Sequence, residues 1–524
     1  MRLKKRLTPF VTPLPVPKIL KPMDRNQKYT FYIVQMREAS HQFHRDLPPA
    51  RIWGYEGITP GPTIEAERNE QVRILWLNQL PKRHLLPVDK TIYGTPSTPE
   101  SRTVVHIHGA VAPSDSDGHP EAWYTKGFQT TGPKFQRRIY LYPNRQRAAT
   151  LWYHDHAMGI TRLNVYAGLA GFYLIRDKNE RSLPIPKGKY EIPLLIQDRS
   201  FNQDGSLFYP RRPANSSSRL PNPSIVPEFF GDTIVVNGKV WPYLNVEPRK
   251  YRFRLLNGSN SRFYTLSLSS GQSFIQIGTD GGLFRSPVLV KSLTLAPAER
   301  ADVILDFSKF KGEKIALINS APTPFPNGSR PDPQTTGLVM QFRVKKQLSR
   351  PDTSSIPRRL SVIPATPLKR VTKVRNISWN ANTDRFGRLM MLLQNKKWHD
   401  PINIKPRLGS LELWQLINSG PNTHPIHLHE VNFRVLNRQP FDRNYFRQTG
   451  KLRFTGPPIP PARNESGLKD IVMVHPGLVT RIIPRFSNAF PGIFSWHCHI
   501  LEHEDWEMMR PFLIVRHSPK TSRQ

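Results

Sequence analysis

The residues with the clearest chemical meaning surround the only cysteine of the chain. Cys498 stands between His497 and His499, and His503 and Met508 follow it at five and ten positions. A single cysteine cannot form a disulfide within one chain, so its position among histidines favours metal binding. Two histidines, one cysteine and a weak methionine are the ligands of a mononuclear copper site for electron transfer. The sequence therefore predicts such a site, with its second imidazole supplied from elsewhere.

The other histidines are strongly grouped. Ten of the 17 fall in four motifs, which are His106-Ile-His108, His154-Asp-His156, His424-Pro-Ile-His427-Leu-His429, and His497-Cys498-His499 with His503. The chain has no histidine between His156 and His399. We therefore expect a site built from both ends of the chain, with a central segment that carries no ligands.

The local sequence around three of the His-x-His pairs, at 103–108, 151–154 and 493–497, is typical of a β-strand. Side chains two positions apart on a strand point to the same face. The four pairs could therefore present eight imidazoles to one place, which is enough for three copper ions with open positions. The same alternation directs Cys498 away from His497 and His499. One strand would then connect a mononuclear copper site to a polynuclear one through a few covalent bonds.

Two other interpretations of the histidines are weaker. A single His-x-His pair is most often a surface or core feature, but four pairs, one of them enclosing the only cysteine, do not fit chance packing. Structural zinc sites use closed sets of four Cys or His ligands, often with paired cysteines. Ten histidines with one cysteine do not match that composition.

At these four motifs the chain resembles the multicopper oxidases, in particular the laccases of bacterial spore coats. Bilirubin oxidase and phenoxazinone synthase share the same signatures. The resemblance extends along nearly the whole chain, for example at Trp53-Gly-Tyr55, Ser116-Asp-Gly-His-Pro-Glu-Ala-Trp123 and Asn237-Gly-Lys-Val-Trp-Pro-Tyr243. The spore-coat relatives have further cysteines, some of them in a disulfide, whereas Cys498 is the only cysteine of this chain.

The resemblance implies four copper ions and a ligand set for each. Type 1 copper is expected on His424, Cys498 and His503, with Met508 as the axial ligand. Type 2 copper is expected on His106 and His427. The two type 3 ions are expected on His108, His154 and His497, and on His156, His429 and His499.

The resemblance also implies a mechanism. A small aromatic reductant, a phenol or an aromatic amine, is expected to give electrons near His503, the solvent-facing type 1 ligand. The electrons would pass through Cys498 to His497 and His499, and dioxygen would become two waters. Asp117 and Glu504 match the family's proton-relay acids, since a buried carboxylate can supply protons to that reduction. Asp117 could also be a simple turn residue, because it lies in a segment rich in Asp, Ser and Gly.

Four acids near the type 1 motif, Glu502, Glu504, Asp505 and Glu507, have two interpretations. They could form an acidic rim that attracts cationic substrates, or they could be hydrogen-bonding partners of the ligands.

Length and patterning predict an all-β protein of three domains. Short alternating segments with frequent turns indicate β-sandwiches or barrels, in agreement with the cupredoxin-like Greek-key barrels that the resemblance implies. We place the domains at residues 1–178, 184–344 and 374–516, with a linker at 345–373 rich in Pro, Ser and Arg. The trinuclear site would then lie between the first and third domains, and the second would be a spacer.

The chain is strongly basic, with a formal net charge of +37 from 76 basic and 39 acidic residues. Nucleic-acid binding is disfavoured because no recognition motif accompanies the charge; a diffusely cationic surface that adheres to anionic polymers is the simpler interpretation.

The N-terminus lacks the apolar core of a signal peptide, and no apolar segment is long enough to span a membrane. We expect synthesis in the cytoplasm, a monomer, and deposition on a spore coat.

The electron donor is less closely defined than the reaction. Bilirubin or a metal ion such as Cu(I) or Mn(II) is an alternative to a phenol, although the ten methionines are scattered rather than gathered in a Met-rich insert. A mainly structural coat protein is a further alternative, supported only by the basic surface.

Overall fold

The computed structural model describes residues 3, 6–214 and 219–516. Most of its regular structure is β-strand, which confirms the predicted all-β class. The described residues form four α-helices, all of them short: α1 (Thr161–Ala167), α2 (Lys178–Ser182), α3 (Arg443–Thr449) and α4 (Leu501–Asp505). Within the described ranges no helix combines the length and apolar character needed to cross a membrane. The strands form three pairs of sheets in chain order.

The first pair of sheets carries two of the histidine motifs. Its strands are β1 (Asp24–Arg25), β2 (Thr30–His41), β3 (Ala50–Tyr55), β4 (Gly61–Glu67), β5 (Val72–Asn78), β6 (Val105–His108), β7 (Ile139–Tyr142), β8 (Ala149–Asp155) and β9 (Ala170–Arg176). One sheet has the order β1-β2-β5-β7 with β3 also on β2, and the other has the order β4-β9-β8-β6. In the second sheet β6 and β8 are antiparallel, with His106 opposite His154.

The second pair of sheets contains no histidine. Its strands are β10 (Glu191–Arg199), β11 (Thr233–Val236), β12 (Lys239–Val240), β13 (Tyr243–Val246), β14 (Lys250–Asn257), β15 (Tyr264–Leu268), β16 (Phe274–Thr279), β17 (Gly282–Val290), β18 (Leu293–Leu295), β19 (Arg300–Asp306), β20 (Lys314–Asn319) and β21 (Leu338–Val344). The orders are β12-β11-β10-β14-β19-β16-β17 and β13-β21-β20-β15-β18. Its core is continuous with that of the first pair.

The third pair carries the cysteine motif. Its strands are β22 (Val371–Thr383), β23 (Leu389–Leu393), β24 (Leu411–Ile417), β25 (His424–Leu428), β26 (Phe433–Pro440), β27 (Ile471–Val474), β28 (Leu478–Pro484), β29 (Gly492–Cys498) and β30 (Met509–Ile514). The orders are β23-β22-β24-β28-β26 and β27-β25-β29-β30. In the second sheet β25 and β29 are antiparallel, with Ile426 opposite Cys498 and His427 opposite His497.

The domain boundaries expected from the sequence stay a prediction. The strands of the first two sheet pairs lie within 1–178 and 184–344. The third pair begins slightly earlier than expected, because β22 starts at Val371, inside the segment that we assigned to the linker. The only cysteine, Cys498, is free and buried, so apolar packing rather than a disulfide supports each sandwich.

Candidate metal centre

Cys498 and the two histidines beside it, His424 and His503, form what we call the thiol cluster. Cys498 Sγ lies 3.6 Å from His424 Nδ1 and 3.7 Å from His503 Nδ1. His424 begins β25, Cys498 ends β29, and His503 lies on α4, which follows the cysteine directly. Met508 is fully buried in the same apolar cluster as Cys498, and its carbonyl accepts a hydrogen bond from the Cys498 backbone N–H at 3.1 Å.

The surroundings of the thiol cluster keep its members uncharged. Burial raises the pKa of the Cys498 thiol well above its usual value. Burial also lowers the pKa of His503 to about 4, and burial together with His503 lowers that of His424 well below its usual range. Neutral imidazoles are the form that binds metals, and a bound cation is what converts a buried thiol to a thiolate ligand. His503 is the only one of the three that is partly exposed.

The four His-x-His pairs converge on a second site, which we call the imidazole cluster. Its eight rings come from β6, β8, β25 and β29 and the residues that follow these strands. Rings from the first and third sheet pairs stack on each other: the centroids of His106 and His429 are 3.8 Å apart, and those of His108 and His427 are 3.6 Å apart. The cluster therefore lies where the first and last thirds of the chain meet.

Nitrogen atoms within this cluster form three groups, each within 4.8 Å: His106, His108 and His427; His108, His154 and His499; and His156, His429 and His497. The second and third groups differ from the expected type 3 sets, because His497 and His499 are exchanged. His497 Nε2 lies 3.2 Å from His429 Nε2 and 3.3 Å from His156 Nε2. His499 lies beyond the end of β29, and its ring is 5.0 Å from His108 and 5.3 Å from His154.

Oxygen acceptors fix the orientation of most of these rings. The Nδ1 atoms of His106, His427 and His154 lie 2.6, 2.7 and 2.8 Å from the backbone carbonyls of Asp117, Asp470 and Asp155. His108 instead places Nε2 at 3.1 Å from Asp470 Oδ1. Since a carbonyl or an ionised carboxylate oxygen can only accept, each ring carries its proton on that nitrogen. Its other nitrogen is buried without a partner and offers a lone pair.

The lone pairs of the third group face one another. His429 Nδ1 lies 2.8 Å from Asp117 Oδ2, and His497 Nδ1 lies 3.1 Å from the Cys498 carbonyl, so both rings are protonated at Nδ1. Their Nε2 atoms, 3.2 Å apart, are then two acceptors with no proton between them. Buried acceptors in this arrangement repel unless a cation lies between them. The donor set of the imidazole cluster therefore fits copper ions, for which imidazole is a preferred ligand.

Burial and neighbouring charges keep six of the imidazoles neutral. Burial and the neighbouring rings lower the pKa of His108, His154, His156, His427 and His499 well below the usual value for histidine. For His429 the same causes lower the pKa to about 3, despite the opposing effect of Asp117. At neutral pH these six rings are therefore ready to accept metal cations without first losing protons.

Asp117 and Glu504 contact different rings of the imidazole cluster. Burial acts to raise the pKa of Asp117, but His429 and His106 more than offset it and hold the pKa well below its usual range. Glu504 is buried, with Oε2 3.1 Å from His497 Nδ1 and Oε1 3.5 Å from His156 Nε2. Neither carboxylate oxygen of Glu504 has a hydrogen bond of good geometry. Glu504 lies on α4 next to His503, and its side chain contacts His497 and His156 of the third nitrogen group.

Two contributors to the cluster were missed in the sequence. Asp470 precedes β27 and contacts both His108 and His427. Arg300 begins β19 in the middle sheet pair and donates Nη1 to Asp470 Oδ1 at 2.7 Å. The middle of the chain is therefore more than a spacer, because it supplies the cation that holds Asp470. Neither residue lies in a motif, so one sequence offers no signal for them.

Asp155 could have been found from its position between His154 and His156. Its carboxylate accepts hydrogen bonds from Val104 N at 3.0 Å, Ala157 N at 2.9 Å and Asn164 Nδ2 at 2.7 Å. Burial raises its pKa to about 7. These bonds hold the segment after β8, which carries His156.

The acids around His503 are internal partners rather than a surface rim. Glu502 accepts hydrogen bonds from Tyr209, Asn260 and Ser261. Asp505 forms a buried ion pair with Arg162 at 2.9 Å. They join α4 to the first and second sheet pairs, which favours the second of the two interpretations given above.

Comparison with known proteins agrees with this geometry. Models of the multicopper oxidase family match residues 97–180, 211–337 and 365–518. The chain is 53% identical to a laccase of Bacillus subtilis over 512 residues, which cover 97% of this chain and 99% of that protein. It is 50% identical to a laccase of Bacillus stratosphericus, covering 97% and 100%. A crystal structure of a laccase from Pediococcus acidilactici superposes with a TM-score of 0.76 at 27% identity, covering 98% of this chain and 95% of that one.

The chain therefore belongs to the multicopper oxidase family. Within that family its similarity to the laccases makes it a copper-binding oxidoreductase of the laccase type, which uses dioxygen and a reducing substrate.

Proposed function

We propose that the protein oxidises phenols or aromatic amines by one electron at a time and couples four such oxidations to the reduction of dioxygen to two waters. The observation that carries this proposal is the arrangement on β29. Cys498 faces His424 and His503, whereas the adjacent His497 faces His429 and His156. A few covalent bonds of one strand thus join the two clusters.

We assign four copper ions to these clusters. His424, Cys498, His503 and Met508 would hold type 1 copper, and His106 and His427 would hold type 2 copper. The type 3 pair would be held by His108, His154 and His499, and by His156, His429 and His497, following the observed nitrogen groups. Copper bound in these positions supplies one-electron acceptance at the first site and multi-electron reduction of dioxygen at the others.

The chain's own residues supply access, conduction and protons. His503, which is partly exposed, is the point where a planar aromatic donor can reach the thiol cluster. The backbone from Cys498 to His497 and His499 provides the electron path. Glu504, which contacts His497 and His156, is placed to deliver protons to the imidazole cluster. Asp117 orients His429 and His106.

The first test is a visible spectrum and a copper count on the copper-loaded protein. We expect four coppers per chain and the intense absorption of a Cu(II)–thiolate site. Cys498→Ser should abolish that band and phenol-dependent oxygen consumption. His41→Gln is the matched control, since His41 is partly buried, lies 2.6 Å through Nε2 from the Gly238 carbonyl and is outside both clusters. Full oxidase activity in Cys498→Ser would contradict the proposal.

The same assay distinguishes the donors. Bilirubin, Cu(I) and Mn(II) replace the phenol in turn, and we expect the phenol to support the fastest turnover.

We further propose a monomer deposited on a spore coat, on the strength of the resemblance to coat laccases. Sedimentation of the purified protein tests the first part, and fractionation of spores from the source organism tests the second.

A further inference from the structure

A cleft between the first and third sheet pairs is separate from both metal clusters. Its volume is about 320 Å³, within the range of small-ligand pockets. Arg145 and Arg147 contribute to it from the first sheet pair, Val362 and Pro364 from the connecting segment, and Arg434 and Arg485 from the third pair. We call it the interdomain cleft.

The charge of the interdomain cleft is strongly positive and unbalanced. Five arginines line it: Arg68, Arg145, Arg147, Arg434 and Arg485. Within the described part of the chain, none of the five forms an ion pair or a side-chain hydrogen bond, which sets them apart from the fully paired Arg252 and Arg254 elsewhere. Arg147 Nη1 is buried and has no partner, and burial lowers the pKa of Arg147.

The one carboxylate among the described lining residues does not neutralise them. Glu430 turns its side chain to the backbone, where it accepts hydrogen bonds from the N–H groups of Ala112 and Phe490. Asp177, which acts on Arg147 electrostatically, forms no ion pair with it among the described residues and accepts hydrogen bonds from the N–H groups of Ala148 and Glu180. Guanidinium groups from two domains therefore face a shared space in which no described carboxylate is paired with them. Such groups recognise carboxylates and phosphates through paired N–H donors.

The cleft also has an apolar wall. Val111, Leu411, Phe433 and Ile483 are buried behind the arginines, whereas Val362 at the edge of the cleft is 64% exposed. An inorganic anion would leave Val362 in contact with water, whereas an organic anion could cover it.

We propose that the interdomain cleft binds a small organic polyanion, with two or more carboxylate or phosphate groups on an apolar body. Its charged groups would pair with Arg145 and Arg147 on one side and with Arg434 and Arg485 on the other. Binding would remove the repulsion between like charges across the interface of the two domains that build the imidazole cluster. The bound protein should accordingly be more stable than the free one.

Benzene-1,3,5-tricarboxylate is a suitable probe, with tripolyphosphate as the anion that lacks an apolar body. Calorimetric titration of the copper-loaded protein should show one tricarboxylate per chain, bound more tightly than tripolyphosphate. Saturation should raise Tm by about 2–4 °C. The double variant Arg434→Gln/Arg485→Gln should bind the tricarboxylate roughly tenfold more weakly.

The control is Arg330→Gln/Arg407→Gln, which removes the same charge from two exposed arginines outside the cleft. It should bind like the parent protein, and circular dichroism and phenol oxidation confirm that both double variants are folded. Equal weakening in both would show attraction by the diffuse surface charge and overturn the proposal. Unchanged binding in the cleft variant, absence of tricarboxylate binding, or tighter binding of tripolyphosphate would also overturn it.

Discussion

Arg300 Nη1 lies 2.7 Å from Asp470 Oδ1, which joins the histidine-free middle of the chain to the imidazole cluster. Both side chains are fully buried. The same Asp470 oxygen lies 3.1 Å from His108 Nε2, and the Asp470 backbone carbonyl accepts from His427 Nδ1. Asp470 therefore sets the tautomers of two rings. Its carboxylate accepts from His108 of the first sheet pair, and its backbone carbonyl accepts from His427 of the third.

Replacing Arg300 should weaken both the fold and the metal site. Arg300→Met leaves Asp470 as a buried carboxylate without its cation, which costs about 3–5 kcal/mol in the free energy of unfolding. Loss of an outer partner of metal ligands also lowers metal affinity by about 10- to 100-fold. Denaturant unfolding and copper retention against a chelator measure the two effects.

Arg375→Met is the matched control, because Arg375 pairs with Glu412 in the third sheet pair, away from the clusters. It should reduce stability less and leave copper retention unchanged. Equal copper loss in both variants would show that Arg300 acts only through general stability.

Asp117 should act through His429 rather than on the substrate. Asp117→Asn keeps an oxygen acceptor for His429 Nδ1 but removes the negative charge that strengthens the bond. We expect turnover to fall by about 10- to 100-fold while the Cu(II)–thiolate band of Cys498 is unchanged. Oxygen-consumption kinetics and the visible spectrum provide the two readouts.

Asp115, two residues before Asp117, provides a control with the same substitution, since it pairs with Arg137 at the surface. Asp115→Asn should retain parental turnover. If Asp117→Asn and Asp115→Asn behave alike, Asp117 is only the turn residue considered in the sequence analysis.

Glu504→Gln should separate substrate oxidation from oxygen reduction. The substitution preserves shape and removes the exchangeable acid beside His497 and His156. Because general acids contribute about 10²- to 10⁴-fold, we expect steady-state turnover to fall within that range. Anaerobic bleaching of the blue band by a phenol should keep its parental rate in stopped-flow measurements.

Glu507→Gln tests the specificity of that result, since Glu507 accepts a hydrogen bond from Trp398 N and an amide oxygen can do the same. Its turnover should be near parental. Slower anaerobic bleaching in Glu504→Gln would place Glu504 in the electron-transfer step instead of proton delivery.

Acid should destabilise the metal-free protein through its buried histidines. His84 has its pKa lowered from 6.5 to about 3, and His503 from 6.5 to about 4, both by burial. The unfolded chain therefore binds protons below pH 6.5 that the folded chain does not bind, so stability falls as the pH falls from 6.5 towards 4. Each such histidine contributes on the order of 1–3 kcal/mol across that window.

Denaturant unfolding of the metal-free protein between pH 7 and pH 4 measures this dependence. His84→Gln retains a partner for Asn164 and should flatten the pH profile. A profile that is level from pH 7 to pH 4 would contradict the assignment of neutral buried imidazoles.

The sequence by itself determined which residues could bind copper. A single cysteine between two histidines, with His503 and Met508 downstream, allowed few other interpretations, and period-two alternation separated Cys498 from His497 and His499. Short alternating segments likewise predicted the all-β class. Both inferences depend only on residue type and on spacing within one strand, which the sequence contains.

Only the tertiary structure decided which rings meet. Alternation places His497 and His499 on one face but does not state which neighbour each one reaches; that depends on the register of β25 against β29 and on where β29 ends. In the folded chain His497 meets His156 and His429, and His499 meets His108 and His154. Arg300, Asp470 and the interdomain cleft are likewise products of packing between segments far apart in the chain, so local spacing carries no record of them.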